Sequence, residues 1–290
     1  MPLKGIRVRE IPASEIAATV AELCIKACTI LPPDVVSALE AARQREESEV
    51  GRAVLSRLLE NAALASGEGL PMCQDTGLAV VFAELGERVA ITGGALPEAI
   101  AAGVREGYDR GYLRKSVVVS PLDRRNTGDN TPPIIHTEIV PGDSLKITVA
   151  AKGAGSENMS RLRMMPPSEG VEGVKRLVLE AVENAGASAC PPLVIGVGLG
   201  GTFEQCALIA KKALLRDVGV PSGDPLAAAL EAELLELVNA TGIGPMGVGG
   251  RTTALAVHVE TYPCHIASFP AAVNLQCHAA RHASHRWHGG

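Results

Sequence analysis

The chain has 290 residues, of which 47% are hydrophobic and 20% charged, and its formal net charge is −5 at pH 7. This composition is typical of a globular protein with a substantial core and excludes a disordered or fibrous chain. Aromatic residues make up only 2% of a net acidic chain, which argues against nucleic acid as a partner because single-strand binders stack bases on aromatic side chains along basic surfaces.

The N-terminus shows no targeting signal, since residues 1–15 contain no apolar stretch of signal-peptide length. No segment offers about 18 uninterrupted apolar residues, so we expect no membrane span and a cytoplasmic location. The seven cysteines are then expected to be reduced thiols. Their odd number argues against a complete disulfide framework, and no CxxC pair indicates a zinc ribbon.

Helical periodicity dominates the first hundred residues. The helices predicted there cover residues 14–30, a segment beginning at Pro32 and Pro33, residues 49–66 and residues 96–113. One buried strand is predicted between them at residues 78–85. The sequence therefore predicts a helical N-terminal part of about residues 1–70.

After residue 116 the apolar pattern changes to one that also predicts strands. The predicted strands cover residues 116–120, 134–140, 145–151, 193–197 and 252–259, and the predicted helices cover residues 171–185, 203–215 and 225–238. The turn Pro141-Gly142-Asp143 predicts that the strands on either side of it form a hairpin. The fold class predicted is α/β (mixed α+β), a mixed sheet with flanking helices and Gly-rich ligand loops, in a single domain over residues 1–290.

Glycines cluster at residues 153–155, 196–201 and 242–250. Such clusters allow a ligand to approach the backbone closely, although tight turns explain them equally well. The cluster at 196–201 follows a predicted strand and precedes a helix, as a dinucleotide-binding loop would. Its spacing does not match GxGxxG, and no well-placed acidic residue follows, so a nucleotide site is disfavoured.

Five segments contain more polar, Gly and Pro residues than a packed core requires. They are PMCQDTG (71–77), NTGDNTPP (126–133), KGAGSEN (152–158), the run from Cys190 to residue 201, and the run from Tyr262 to His278, which contains AAVNLQC. In this order they resemble the class I iron–sulfur hydro-lyases, which comprise class I fumarate hydratase and L-tartrate dehydratase. The resemblance is to the α subunit or N-terminal catalytic region and runs from about residue 49 to residue 281.

The resemblance implies a [4Fe–4S] cluster held by Cys73, Cys190 and Cys277. Three cysteine ligands leave one iron open to act as a Lewis acid on the hydroxyl and a carboxylate of the substrate. Of the other cysteines, three are interpreted as small core residues, and the fourth, next to a predicted site histidine, is left open. These are Cys24, Cys28, Cys206 and Cys264.

Two polar residues that follow the first ligand are predicted to reach the substrate. Gln74 is a substrate-binding residue in this interpretation, and Asp75 is a candidate proton relay to the departing or attacking oxygen. The alternative for Asp75 is a turn carboxylate that caps local N–H groups.

The resemblance also assigns residues to the substrate's two carboxylates. Arg114 would bind one of them in bidentate fashion, the alternative being a surface arginine. Backbone amides of Gly153 and Gly155 could bind the other, although Ala154 replaces the middle glycine that the family usually has. His265 is expected at the substrate as a hydrogen-bond donor or acid, the alternative being a buried structural histidine.

The C-terminus carries four histidines at near-helical spacing, which are His278, His282, His285 and His288. We interpret them as part of a solvated terminal helix rather than as a metal site.

The function that the resemblance implies is reversible hydration of fumarate to L-malate by the α subunit of a hydro-lyase. The alternative is L-tartrate dehydration to oxaloacetate, and an alternative of another class is a non-enzymatic iron–sulfur binding or regulatory protein. Single-chain members of the family continue into a second region. This chain is therefore expected to need a separate β subunit, in an assembly of two α and two β subunits, with the base that removes the C–H proton on the β subunit.

Overall fold

The structure is a computed structural model that describes residues 8–288. The α-helices of this part are α1 (Ala13–Thr29), α2 (Pro33–Arg45), α3 (Glu49–Glu68), α4 (Leu96–Arg110), α5 (Ala154–Glu157), α6 (Gly170–Ala185), α7 (Phe203–Ala213) and α8 (Pro225–Ala240). Its strands are β1 (Arg9–Pro12), β2 (Leu78–Gly86), β3 (Val89–Thr92), β4 (Ile134–Val140), β5 (Leu145–Lys152), β6 (Arg161–Met165), β7 (Leu193–Gly200), β8 (Ala254–Tyr262), β9 (Phe269–Gln276) and β10 (His282–Trp287).

The chain divides into two compact units. The first contains the described residues up to Leu31, then Leu64–Lys152, and the residues from Arg281 onward. The second contains Pro32–Ala63 and Gly153–Ala280. The single domain expected over residues 1–290 stays a prediction, and the N-terminal interpretation falls partly on residues 1–7, outside the described residues.

The first unit is built on a four-stranded sheet in the order β10-β5-β2-β4. Alternate residues of β5 point into its core, among them Leu145, Ile147 and Val149, where α1 covers the sheet and α4 packs on α1. The two helices pack closely because α4 carries Gly103 against α1, where a Cβ would lie 2.4 Å from the carbonyl oxygen of Ala17. A short parallel pair, β1 and β3, completes this unit.

The second unit has a four-stranded sheet in the order β6-β9-β7-β8, covered on both faces. Ile195 and Val197 of β7 share a core with α6 and α8. Gly196 and Gly198, which point to the opposite face, lie against α7, and a Cβ on either would lie 2.0–2.1 Å from a carbonyl oxygen of that helix. These two glycines therefore serve close packing of strand and helix, and they lie within the strand rather than in a ligand loop.

The loop that enters β8 is held by a carboxylate of the α2–α3 connection. Glu46 is 2% exposed, and its carboxylate accepts backbone N–H bonds from Arg251 and Thr252 at 3.0 Å. Burial alone would raise the pKa of Glu46, but these bonds and one from Ser48 lower it overall. A single charged side chain thus fixes the end of the glycine-rich segment 242–250.

The mixed α/β class is confirmed, and most predicted helices match, but the hairpin predicted between residues 134–140 and 145–151 is wrong. These strands are β4 and β5, and β2 lies between them, parallel to β4 and antiparallel to β5. The turn between them bonds to the end of β2 instead, with Gly86 N donating to Ser144 O at 2.9 Å. A strand buried along most of its length, as β2 is, belongs in the middle of a sheet.

Two further expectations are wrong. Residues 116–120 form no strand beyond one isolated bridge, Val118 with Asn126, because their backbone bonds locally to the backbone and to one side chain of the following loop. The C-terminal histidines lie on or beside β10 rather than on a helix. Residues 282–287 pair antiparallel with β5, and Ala283 and Trp287 lie in the core. Strand pairing therefore decides the structure over the spacing of the histidines.

By length and composition alone, Ala13–Arg45 is apolar enough to cross a membrane, with a mean hydropathy of 1.4 in its most apolar window. Half of that window is buried inside the protein. Helix α1 packs residues such as Ile16, Val20 and Cys28 into the core of the first unit, which accounts for its apolar character.

Candidate functional site

In the first unit, the loop between α3 and β2 carries Cys73, Gln74 and Asp75, and buried groups hold its backbone in place. Met72 N donates to the carbonyl oxygen of Cys28 at 3.0 Å. Three residues further on, the carbonyl oxygen of Asp75 accepts a bond of 2.8 Å from Nη2 of Arg281. The guanidinium is 2% exposed, so a buried charge anchors the centre of this loop.

The end of the same loop is fixed by Tyr108 of α4. Its hydroxyl lies 2.9 Å from the carbonyl oxygen of Thr76 and 3.1 Å from that of Gly77, and burial raises the pKa of this tyrosine well above its ordinary value. Gly77 has φ +75, and a Cβ there would lie 2.6 Å from the backbone of Lys152. Glycine is therefore required where the loop enters the sheet.

Asn130 of NTGDNTPP joins this loop to the one that carries Arg114. It is fully buried with φ +60, and its Nδ2 donates to the carbonyl oxygen of Gly77 at 3.2 Å. Its Oδ1 accepts bonds from Ser116 N at 2.7 Å and Val117 N at 3.2 Å. Thr76 Oγ1 adds a bond of 3.0 Å to the carbonyl oxygen of Arg114. The first unit thus brings Arg114 and the CQDTG loop together.

The side chains predicted at this site differ in their surroundings. Cys73 is half-buried, and its Sγ donates to Oε1 of the exposed Gln74 at 3.5 Å. Oδ1 of Asp75 accepts a bond of 3.0 Å from Gly77 N, so the turn contact named as its alternative is present. The guanidinium-bearing Arg114 is exposed. The catalytic roles of these residues stay predictions.

In the second unit, the two other predicted cysteine ligands lie on neighbouring segments. Cys190 precedes β7 and Cys277 follows β9, which is paired antiparallel with β7. His278 N donates to the carbonyl oxygen of Cys190 at 3.2 Å, which links the two segments directly. Cys190 has φ +54, a left-handed conformation that a non-glycine residue adopts at a cost and that is concentrated at functional sites.

The glycines of KGAGSEN lie beside the same cysteine segment. Gly153 precedes the one-turn helix α5, and a Cβ on Gly155 would be 3.0 Å from the carbonyl oxygen of Ser188, two residues before Cys190. Ala154 is helical and exposed, which explains why alanine replaces the middle glycine without strain. Three predicted motifs therefore meet within the second unit.

His265 is exposed and lines a cavity of about 520 Å³ together with Phe203, Tyr262 and Cys264. Its Nδ1 accepts a bond of 3.1 Å from Ala267 N, so the neutral imidazole carries its proton on Nε2 and presents a donor there. The alternative of a buried structural histidine is wrong, because this side chain lies in a surface loop.

The cysteines differ in a way that bears on an iron–sulfur cluster, because metals bind the thiolate. Cys24, Cys28 and Cys206 are at most 1% exposed, and burial raises the pKa of Cys28 to about 11. The three predicted ligands are all partly exposed. No group of three His, Cys, Asp or Glu side chains among residues 8–288 is arranged to hold a metal ion. The fit therefore rests on the individual thiols. Cys264 is exposed as well, and the assignment of the three ligands stays a prediction.

Comparison with known proteins identifies the family. The family model described as "Fumarate hydratase (Fumerase)" matches residues 17–286. A Methanocaldococcus jannaschii protein provisionally named L(+)-tartrate dehydratase subunit alpha is 43% identical over 94% of this chain and 97% of its own. A protein named L(+)-tartrate dehydratase subunit alpha from Escherichia coli is 35% identical over 90% of this chain and 86% of its own. A protein of the same name from Shigella sonnei is 34% identical over 87% of this chain and 84% of its own. The chain belongs to the fumarate hydratase family of hydro-lyases.

Proposed function

We propose that the chain is the α subunit of an iron–sulfur hydro-lyase that dehydrates L(+)-tartrate to oxaloacetate. The names of the relatives support this substrate, whereas the sequence alone favoured fumarate. Hydration of fumarate to L-malate is the second candidate, supported by the description of the matching family model. Both substrates are C4 dicarboxylates, so the same binding groups serve either.

The observation that carries the proposal is that the segments of Cys190 and Cys277 lie next to each other. Their segments are far apart in sequence, yet His278 N bonds to Cys190 O at 3.2 Å, and both thiols remain partly exposed. A core cysteine would be buried, as Cys206 is. Two partly exposed thiols on adjacent segments, one of them in a left-handed conformation, support a metal-binding role.

In this proposal Cys73, Cys190 and Cys277 are the ligands of a [4Fe–4S] cluster. When bound, the cluster supplies a Lewis acid for the hydroxyl that leaves the substrate. The chain's own residues then have three tasks. They hold the cluster, bind the two carboxylates of the substrate and move a proton.

The exposed guanidinium of Arg114 binds one carboxylate through two parallel N–H donors, and Gln74 adds an amide beside it. The backbone amides at Gly153 and Gly155 bind the other carboxylate. Asp75 moves the proton to or from the departing oxygen, and its backbone is held rigid for this by Arg281. His265 donates from Nε2 to the substrate.

The subunit names of the relatives support a β subunit as the partner of this chain. We propose that it supplies the base for the C–H proton, in an assembly of two α and two β subunits. A cytoplasmic location is part of the same proposal.

The partner is tested by expressing the chain anaerobically with and without the β-type gene product that lies nearest to its own gene, and assaying both preparations with L(+)-tartrate. Turnover only in the co-expressed preparation, with iron and acid-labile sulfide retained, supports the proposal. Full turnover by the chain alone would contradict the need for a partner. Iron and sulfide without turnover of tartrate, fumarate or malate in either preparation would favour the non-enzymatic alternative.

A further inference from the structure

Three polar side chains from three elements of the second unit converge, and none of them is among the predicted site residues. Lys211, in the last turn of α7, places Nζ 2.5 Å from Oε1 of Glu157 and 3.5 Å from Oδ1 of Asn274. Nδ2 of Asn274 donates to the other carboxylate oxygen of Glu157 at 2.9 Å. Both oxygens of Glu157 thus have a donor, one of them charged.

A fourth side chain extends the contact along β9. Oγ of Ser160 accepts bonds from Asn274 Nδ2 at 3.0 Å and Leu275 N at 3.2 Å. Asn274 is 7% exposed, and the side chain of Lys211 is 20% exposed, so the ion pair is partly shielded from water. We call Glu157, Lys211, Asn274 and Ser160 the Glu157 cluster.

The Glu157 cluster joins the segments on which the predicted site depends. Glu157 ends the helix that begins after Gly153, and that helix packs on the turn leading to Cys190. Asn274 lies on β9, three residues before Cys277, which follows the strand. A cation on α7, a helix outside all five motifs, therefore connects the glycine segment to the cysteine segment.

We propose that Lys211 is a positioning residue that holds the Gly153–Gly155 backbone in register with β9. This rests on the proposed function, in which those backbone amides bind a substrate carboxylate. The amides bind the carboxylate before and during the reaction alike, so their displacement weakens uniform binding. KM then rises while kcat changes little.

The test uses the co-expressed, cluster-loaded complex and compares Lys211→Met, Lys211→Arg and the control Lys212→Met, which changes the exposed neighbour of the same helix. Lys211→Met should raise KM for the dicarboxylate by about 10- to 100-fold, which corresponds to the loss of a hydrogen bond to a charged group. Lys211→Arg restores the charge and the donor and should bring KM most of the way back. Lys212→Met should match the wild type.

Hydrogen exchange of residues 153–160, followed by mass spectrometry on the same samples, gives a readout that needs no turnover. Faster exchange there in Lys211→Met, but not in Lys212→Met or Lys211→Arg, supports the positioning role. If the complex turns over no dicarboxylate, the proposed function fails, and the exchange pattern alone decides on Lys211. Wild-type KM and wild-type exchange in Lys211→Met would overturn the inference, as would an equal effect in Lys212→Met.

Discussion

Arg281 donates a hydrogen bond of 2.8 Å to the carbonyl oxygen of Asp75, a residue 206 positions earlier in the chain. The guanidinium is buried, at 2% exposure, and its position also places a positive charge near Cys28 that acts to lower the pKa of this thiol against the larger effect of burial. The loop that carries Cys73 and Asp75 is thus held by a charge from the far end of the chain.

Replacing Arg281 should destabilise the protein because a carbonyl oxygen of the loop loses its charged donor. Arg281→Met is expected to lower the free energy of unfolding by about 1.5–3 kcal/mol, and Arg281→Lys by less. The control is Arg286→Met on β10, five residues further on. The side chain of Arg286 is 40% exposed, so this variant should stay within about 0.5 kcal/mol of wild type. Urea denaturation measures all three, and equal losses in Arg281→Met and Arg286→Met would refute the anchoring role.

One substitution of Asp75 separates its structural role in the turn from its proposed role in proton transfer. Asp75→Asn keeps an oxygen that can accept the bond from Gly77 N, now 3.0 Å from Oδ1, but loses the titratable group. It should lower kcat by about 10²- to 10⁴-fold, the range for a positioned acid or base, with the absorbance of the cluster unchanged. A variant with near-normal kcat would leave Asp75 as a turn residue and move the proton relay to His265 or the β subunit.

The assignment of the cluster ligands predicts that cysteine variants fall into two groups, those that lose iron and those that retain it. Cys73→Ser, Cys190→Ser and Cys277→Ser should each deplete iron and acid-labile sulfide in the anaerobically purified complex, because each removes one of three anchors. Cys206→Ala, a change in the core, should retain both. Loss of iron in Cys206→Ala with retention in Cys190→Ser would show that the ligands are wrongly assigned.

A carboxylate in the NTGDNTPP loop, that of Asp129, should make the folded protein less stable in acid. The Thr131 hydroxyl, together with Arg105, holds the pKa of Asp129 at about 2. Because the folded-state pKa lies below the unfolded value, this stabilisation is complete above about pH 4 and is lost as the pH falls towards about 2, by at most about 2 kcal/mol.

The corresponding measurement compares the unfolding free energies of wild type and Asp129→Asn across that pH range. The difference between them should shrink as the pH falls. A difference that stays constant from neutral pH to about pH 2 would mean that Asp129 titrates as it does in the unfolded chain.

Local pattern was sufficient to predict most helices and the strands at 78–85 and 134–140, because their apolar periodicity is strong. It failed where pairing partners decide the structure. The turn at Pro141-Gly142-Asp143 has hairpin composition, yet β2 takes the position between its two strands. Residues 282–287 became a strand because β5 offers an edge and Trp287 fills the core, which no spacing of histidines could indicate.

The site residues show the same difference between what local sequence indicates and what distant contacts decide. Motif strings pointed to Cys73, Cys190 and Cys277, and the structure brings the last two onto adjacent segments. The residues that hold the motifs, such as Tyr108, Asn130 and Arg281, were missed because each acts through one contact across a long stretch of sequence. For Asn130 a signal existed, since asparagine is among the few residues that readily adopt its left-handed conformation.

The most direct test of the account is the ratio of kcat/KM values for L(+)-tartrate and for fumarate or L-malate, measured anaerobically on the complex of this chain with its β subunit. A site that hydrogen-bonds a hydroxyl of one substrate discriminates strongly against a substrate that lacks this hydroxyl. The account predicts a higher kcat/KM for L(+)-tartrate, with oxaloacetate as the product. A higher kcat/KM for fumarate and L-malate would contradict it and make this chain the α subunit of a fumarate hydratase.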